Sequence, residues 1–436
     1  MKNWNRREFL SAYVFGALAP LVLPASVLGL DGEVAPSNRL TMGGIGIGSR
    51  GSEDLRVFLS NKDVHFVCDA DCQRSRREAV RNNVNNTYGN NDCVIYSDMY
   101  EVLGRQDIDI VLITTGDRWH TMASIEAAKA GKDIYCEKPC SLTIEESQAL
   151  SDTIARYGRV YQAGTQRRSS GNFMTAIHYA QSGMLGELKE VHANTLAPAT
   201  TQKWLPAQPE PDKDECDWDR WLGACPWRPY NSAYVGGGWR NFYDFHGGGI
   251  LEWGSHTIDL CQLAHQSDQT APVHYEPWSK NISETYIDGV EWNKFVSIDD
   301  GGVVATYDDG VKLVMRTSGW LGLGSCSVRF EGTEGWVETG DSGQIRTSSE
   351  SLPTTYQNIG YDLANHVRNF LDCVKTRQTT RAHATAAAQS HIAAHAAYIA
   401  WQLGRPLDYD PVKNEFINDE EANRMRSRAR RQPWHI

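Results

Sequence analysis

The chain has 436 residues, 41% hydrophobic and 22% charged, an ordinary globular balance with room for two domains. Its formal net charge of -11 argues against a nucleic-acid surface or an anionic membrane surface and selects no substrate. Fourteen Trp, many of them between positions 204 and 253, point either to a ring-bearing ligand such as a carbohydrate or to a Trp-rich core.

Residues 1–30 read as a targeting segment. Lys2, Arg6 and Arg7 are basic, and the apolar run 13–23 is too short to span a bilayer. Asn5-Arg6-Arg7-Glu8-Phe9-Leu10 resembles a twin-arginine export signal, with Asn where Ser or Thr is usual. That route exports folded proteins. It implies the twin-arginine machinery as a partner, a periplasmic or exported mature protein, and cleavage within 25–30. An uncleaved anchor or a cytosolic tail is the alternative. The ten cysteines lack metal spacing, and most sit where a small buried hydrophobe is expected. Cys216 and Cys225 could pair outside the cytoplasm, though spacing alone cannot fix connectivity.

An apolar run from Leu40 enters Gly46-Ile47-Gly48-Ser49-Arg50-Gly51, a G-x-G-x-x-G. The first glycine permits a tight turn, the second lets a pyrophosphate approach the backbone, and the third lets helix and strand pack closely. A second strand at 64–68 ends at Asp69, 23 positions after Gly46. That is close to the roughly 20-residue offset of an acid gripping ribose hydroxyls, which favours NAD over NADP. Arg50 and Arg74 keep NADP open.

Helices are expected over 54–60, 73–82 and 121–130, an Asn-rich loop over 82–91, and strands over 109–114 and 132–136. This alternation predicts an α/β doubly wound parallel sheet over 38–159, with ligands bound beyond the carboxyl ends of its strands. Strand-like segments at 188–193, 295–298, 302–307, 311–318, 327–331 and 335–338 predict a second domain over 160–375 built on a largely antiparallel sheet. A Pro-, Trp- and Gly-rich stretch over 194–243 is long enough to shape a pocket. Helices are expected over 362–375 and 384–403, and 376–436 should pack as a helix and tail on the two domains. The basic stretch 424–431 reads as a solvated tail or subunit contact.

Two loops fall at strand ends, Thr115-Gly116-Asp117-Arg118-Trp119-His120 and Glu137-Lys138-Pro139. With Gly164-Thr165-Gln166-Arg167-Arg168-Ser169, Trp218-Asp219-Arg220-Trp221-Leu222-Gly223, Gly247-Gly248-Gly249 and Gly254-Ser255-His256-Thr257-Ile258-Asp259, they resemble the Gfo/Idh/MocA oxidoreductases over nearly the whole mature chain. Gly116 departs from the family's usual Pro, and Arg118 from the His frequent in an exported bacterial subgroup. The resemblance implies Lys138 as the lysine that shares the proton of a substrate hydroxyl.

A helix over 250–265 would place Glu252, His256 and Asp259 on one face, so that a carboxylate can orient His256 as a general base. The family usually has Asp at position 252. A satisfied core His, or a metal site with a third ligand, are the competing readings of that pair. Gly46, Gly48, Ser49, Arg50, Gly51, Asp69, Thr115, Trp119, His120, Glu137, Lys138 and Gln166 are the expected cofactor residues. Arg168, Trp239, Arg240, Tyr243 and Asp259 are the expected substrate residues, and no metal site is expected.

The expected activity is hydride transfer between a sugar, polyol or glycoside hydroxyl carbon and a nicotinamide cofactor, in a chain that the resemblance makes a homo-oligomer. Free nucleotide should be scarce outside the cytoplasm, so the cofactor is expected to be tightly held and regenerated within the site. One alternative is a glycoside hydrolase working by transient oxidation, elimination, water addition and re-reduction, with Tyr243 or His256 as base. A catalytically inactive sugar-binding protein is another.

Overall fold

The computed structural model describes residues 34–195, 205–278, 282–287, 290–295, 302–317, 320–354 and 362–436. The expected leader and part of the 194–243 stretch lie outside them. Among the described residues, no helix is long and apolar enough to cross a membrane.

Strands β1 (Leu40–Ile45), β2 (Val64–Ala70), β3 (Val94–Tyr96), β4 (Ile110–Ile113), β5 (Asp133–Cys136) and β6 (Tyr161–Ala163) form a six-stranded sheet in the order β3-β2-β1-β4-β5-β6. Every pairing is parallel. All four residues of β4, Ile-Val-Leu-Ile, are buried, as a strand covered by helices on both faces requires. The strand order reverses between β1 and β4, which opens a crevice at their carboxyl ends.

The helix Arg74–Tyr88 runs straight through the Asn-rich stretch expected to be a loop. Val80 and Val84 are buried one turn apart and anchor it, while most of the asparagines face outward. Gly89, at φ +68°, ends it in the left-handed conformation.

The second sheet has nine strands: β7 (Leu188–Thr195), β8 (His274–Pro277), β11 (Gly302–Thr306), β12 (Lys312–Thr317), β13 (Val328–Gly332), β14 (Trp336–Thr339), β15 (Ile345–Thr347), β16 (Leu407–Asp410) and β17 (Glu415–Phe416). Their order is β15-β14-β13-β7-β12-β11-β8-β16-β17, and only β7 and β12 run parallel. A separate hairpin joins β9 (Ile282–Ile287) to β10 (Val290–Phe295). Of the expected strand 295–298, only Phe295 is described, as the last residue of β10, and the rest lies outside the described residues.

Two helices tie the layers together. Leu363–Thr376 lays Val367, Phe370 and Leu371 against Phe58 and Tyr135 of the parallel-sheet domain, with Phe370 edge-on to Phe58 at 6.3 Å and to Tyr135 at 5.9 Å. Each such ring pair contributes roughly 0.5–1.5 kcal/mol beyond area burial. Ala384–Leu403 packs against the helices Ile144–Tyr157 and Gly254–Ala264 and against β8, and its small residues permit that approach to both domains.

Candidate functional site

A cavity of about 470 Å³ lies at the switch between β1 and β4. Gly46 turns the chain at φ +69°, and a Cβ there would stand 2.3 Å from Thr115 Cγ2. A Cβ on Gly51 would fall 2.0 Å from Thr114 Oγ1, so the third glycine serves packing and does not line the cavity. Gly48 has only Arg76 Nη1 nearby, at 3.5 Å. It precedes the helix Ser49–Leu59 without a side-chain cap, leaving first-turn N–H groups for an anion. This cradle fits a dinucleotide's diphosphate.

The acid at the end of β2 that faces the cavity is Asp71, two residues beyond Asp69. Asp69 points inward: it is fully buried, neither of its oxygens has a hydrogen-bond partner, and burial holds its pKa well above the usual range. Gly44, paired with Asp69, opens the space that Asp69 fills, since a Cβ there would meet Asp69 Oδ1 at 2.5 Å, whereas Asp71 lies past the end of β2 at Ala70, where strand alternation no longer sets its direction. Asp71 lines the cavity beside Gln73 and Arg76 and accepts from the Gln73 N–H at 2.8 Å. Burial raises its pKa to about 6. Arg74 is drawn away from the cavity into an ion pair with Asp214.

At the end of β5, Glu137 is buried beneath the cavity and accepts from Gln166 Nε2 at 2.5 Å and Arg50 Nε at 3.2 Å. Burial opposes its charge, but Arg50 and Lys138 outweigh burial and keep it ionised. Neighbouring Asp54, buried and facing that charge, is pushed up. Gly164 leaves room for this carboxylate, because a Cβ there would come within 2.7 Å of it. Gln166 thus braces Glu137 from behind and does not line the cavity. His120 reaches Pro139 O at 2.7 Å and Thr115 O at 3.0 Å, joining the β4 and β5 loops.

Lys138 enters the cavity, its Nζ 2.8 Å from Glu252 O and 3.2 Å from Glu252 Oε1. The other carboxylate oxygen of Glu252 accepts from His246 Nε2 at 3.0 Å. The Gly248 N–H donates to His246 Nδ1 at 3.1 Å, which places the ring proton on Nε2. Asp117 Oδ2 lies 3.6 Å from the same nitrogen. Burial opposes ionisation of Glu252, but Lys138 and His246 overcome it and hold its pKa well below the ordinary value. Sequence reasoning missed His246. The signal available was a His immediately before three glycines in the same stretch.

The expected partner, His256, is not bonded to Glu252, whose carboxylate is taken by His246 and Lys138. The helix over 250–265 is two helices, Gly249–Glu252 and Gly254–Ala264, joined at Trp253, so Glu252 and His256 do not share one continuous face. His256 is buried, does not line the cavity, and is held neutral by burial and by the cations Arg167 and Lys138. Its Nδ1 has no hydrogen-bond partner.

Two expected substrate residues form a core ion pair. Arg168 grips Asp259 at 2.7 and 2.8 Å and Asp268 at 2.7 and 2.9 Å; Arg168 and Asp259 are buried, and Asp268 is partly exposed. Tyr243 stacks on Tyr398 beneath Arg428 and does not line the cavity. Trp239 and Arg240 do line it, with the guanidinium 4.3 Å from the indole centroid.

The stretch from Leu205 to His246 covers the cavity. Trp218 and Trp221 stack at 4.8 Å to give it a core. It is pinned to the parallel-sheet domain through Arg77–Asp214 at 2.5 Å, Arg220–Asp98 at 2.9 Å and the Gln73–Cys216 backbone bridge. Arg118 donates to Trp221 O at 2.6 Å with its guanidinium 3.5 Å above the indole. Both readings of the Trp-rich region therefore apply: Trp218 is core, and Trp221 and Trp239 also face the cavity. All ten cysteines, Cys216 and Cys225 included, are free thiols. Away from the cavity, Glu190, His192 and Glu331 converge on the nine-stranded sheet. There Arg329 already engages Glu331 at 2.5 Å, and Lys312 lies 3.8 Å from Glu190.

A family model described as the NAD-binding Rossmann fold of an oxidoreductase family matches residues 40–165. Another, described as the C-terminal alpha/beta domain of an oxidoreductase family, matches residues 181–436. A glycosyl hydrolase family 109 protein of Shewanella sp. (strain MR-4) is 30% identical over 211 residues, covering 43% of this chain and 45% of that protein. An inositol 2-dehydrogenase of Salmonella paratyphi B is 26% identical over 173 residues, covering 39% of this chain and 49% of the relative. The chain thus spans about half the length of these curated relatives. The WlbA dehydrogenase of Chromobacterium violaceum, solved with NADH and UDP-GlcNAcA, shares the fold at TM-score 0.63 and 15% identity, over 87% of this chain and 98% of that one. An aldose-aldose oxidoreductase of Caulobacter crescentus aligns at TM-score 0.60 and 17% identity, over 85% of this chain and 99% of that one. The two family models together span almost all of the chain beyond residue 40, and the chain belongs to the Gfo/Idh/MocA oxidoreductase family.

Proposed function

We propose that the protein is an NAD-dependent oxidoreductase moving hydride between a hydroxyl-bearing carbon of a sugar, polyol or glycoside and nicotinamide. The observation that carries this reading is that the glycine cradle and the Lys138–Glu252 pair open into one cavity. Gly46, Gly48, Ser49 and Arg50 would hold the diphosphate, and Asp71 the adenosine ribose. A carboxylate at Asp71 repels a 2′-phosphate, which favours NAD. The cofactor supplies the hydride-accepting ring. Lys138 would bond the substrate hydroxyl and, as the neutral amine left once its own proton has passed to solvent through the open cavity, would take the hydroxyl proton as the carbon–hydrogen bond breaks. Glu252 holds Lys138 in place, and His246 holds Glu252. Trp239 and Arg240 supply a stacking face and donors for a ring bearing hydroxyls.

A second reading is a glycoside hydrolase in which oxidation and re-reduction cancel within one turnover. The covering stretch from Leu205 to His246 favours a nucleotide kept in place between turnovers, and the family 109 relatives carry a glycosyl hydrolase name. A twin-arginine leader over residues 1–30 and a periplasmic location accord with retention, as part of the same proposal.

The test is to denature the purified protein and quantify released nicotinamide nucleotide. It is followed by turnover on sugars, polyols and glycosides with and without added NAD. About one nucleotide per chain and glycoside cleavage without added NAD would select the hydrolytic reading. NAD-dependent oxidation selects the dehydrogenase. No nucleotide bound and no turnover on either panel overturns both.

A further inference from the structure

The expected solvated tail packs on the active site. Arg428 sits 3.7 Å above the Tyr243 ring and donates to Tyr243 O at 2.6 Å. Arg430 pairs with Glu145 at 2.9 Å. Arg431 pairs with Asp219 and donates to Gly223 O at 2.9 Å, while its own backbone N–H donates to Ala224 O at 2.8 Å. Three successive contacts therefore stitch the tail to the covering stretch and to the parallel-sheet domain. They deliver Trp434 to the cavity wall, edge-on to Trp119 with ring centroids 5.0 Å apart. The Trp434 indole N–H is buried with no acceptor from the chain. Arg118 Nη1, another lining group, is in the same condition.

We infer that Trp434 is a further nucleotide-binding residue, and that the C-terminal tail closes the cavity over the bound dinucleotide. The inference rests on the proposed nicotinamide-dependent activity. The Trp434 N–H is turned away from the open space, so the ring itself is what meets a ligand: it stands on the cavity wall against Trp119, where a dinucleotide filling the cavity would pack on it and be screened from water by it. Release of nucleotide then requires the tail to lift, which slows dissociation more than association.

The experiment loads the full chain with NADH, chases it with excess NAD, and follows loss of bound-NADH fluorescence. Trp434→Ala and a chain ending at Arg431 are each expected to release NADH about tenfold faster or more, a loss of roughly 1.4 kcal/mol. Trp434→Phe, which keeps a ring at the cavity wall, should release NADH closer to the wild-type rate than Trp434→Ala does. Circular dichroism melting within a few degrees of wild type shows that the variants are folded. Release rates equal to wild type in both the Ala variant and the truncation overturn the inference. Failure of the wild-type chain to bind NADH at all instead removes the underlying activity, so the two failures are distinguishable.

Discussion

Gly116 and Arg118 form one structural unit: a Cβ at position 116 would stand 2.3 Å from Arg118 Nη1. The guanidinium cannot swing aside freely, because it is stacked on Trp221 and donates to Trp221 O. The two departures from the family pattern thus explain each other. Gly116 has φ -74°, open to any residue, so its requirement is steric. Gly116→Ala is expected to cost about 1–3 kcal/mol, as overpacking does. In an Arg118→Ala background the same change should cost far less, and a double-mutant cycle by chemical denaturation measures that coupling.

Lys138→Ala should lower kcat/KM by roughly 10²–10⁴ if Lys138 handles the hydroxyl proton. Steady-state kinetics on whichever substrate the panel identifies checks this. Unchanged turnover would falsify the assignment.

His246 and His256 give opposite expectations. His246 donates to Glu252, and removing it leaves that carboxylate one hydrogen bond short beside the reacting group. His246→Ala should reduce kcat by about tenfold or more, and His246→Gln, which can still donate, should recover part of it. His256 does not line the cavity, so His256→Asn should act chiefly on the melting temperature. Comparing kcat with Tm for the three variants separates the roles.

Asp71 provides a pH signature. Its carboxyl has a pKa raised to about 6 by burial, while ribose hydroxyls donate best to the ionised form. Affinity for NAD should therefore be full above that pH and weaken as pH falls through it. The sign follows because the bound state prefers the deprotonated acid. Asp71→Asn should bind weakly with little pH dependence between 5 and 8, as titration calorimetry would show.

Arg168 is buried against Asp259 and Asp268. Arg168→Ala strands the Asp259 carboxylate in the interior and leaves the partly exposed Asp268 without its partner, and should cost about 3–5 kcal/mol of stability. A selective effect on substrate KM with unchanged stability would instead restore the substrate role expected from sequence.

The amino-acid sequence by itself determined the elements that rest on local patterning. The glycine loop, the unbroken apolar run of β4 and the Glu137-Lys138-Pro139 motif placed the nucleotide fold and the key lysine, because each depends on backbone freedom, burial or residue type within a few positions. Tertiary structure decided the rest. Which of Asp69 and Asp71 faces the cavity depends on where β2 ends, at Ala70, and on the space that Gly44 leaves for Asp69. Whether Glu252 pairs with His246 or His256 depends on a break at Trp253 that helical periodicity does not register. Arg168 meets Asp268 across 100 positions, and Trp434 meets Trp119 from the far end of the chain. Such partners are chosen by desolvation and charge pairing once distant segments are packed together, and local sequence carries no record of that choice.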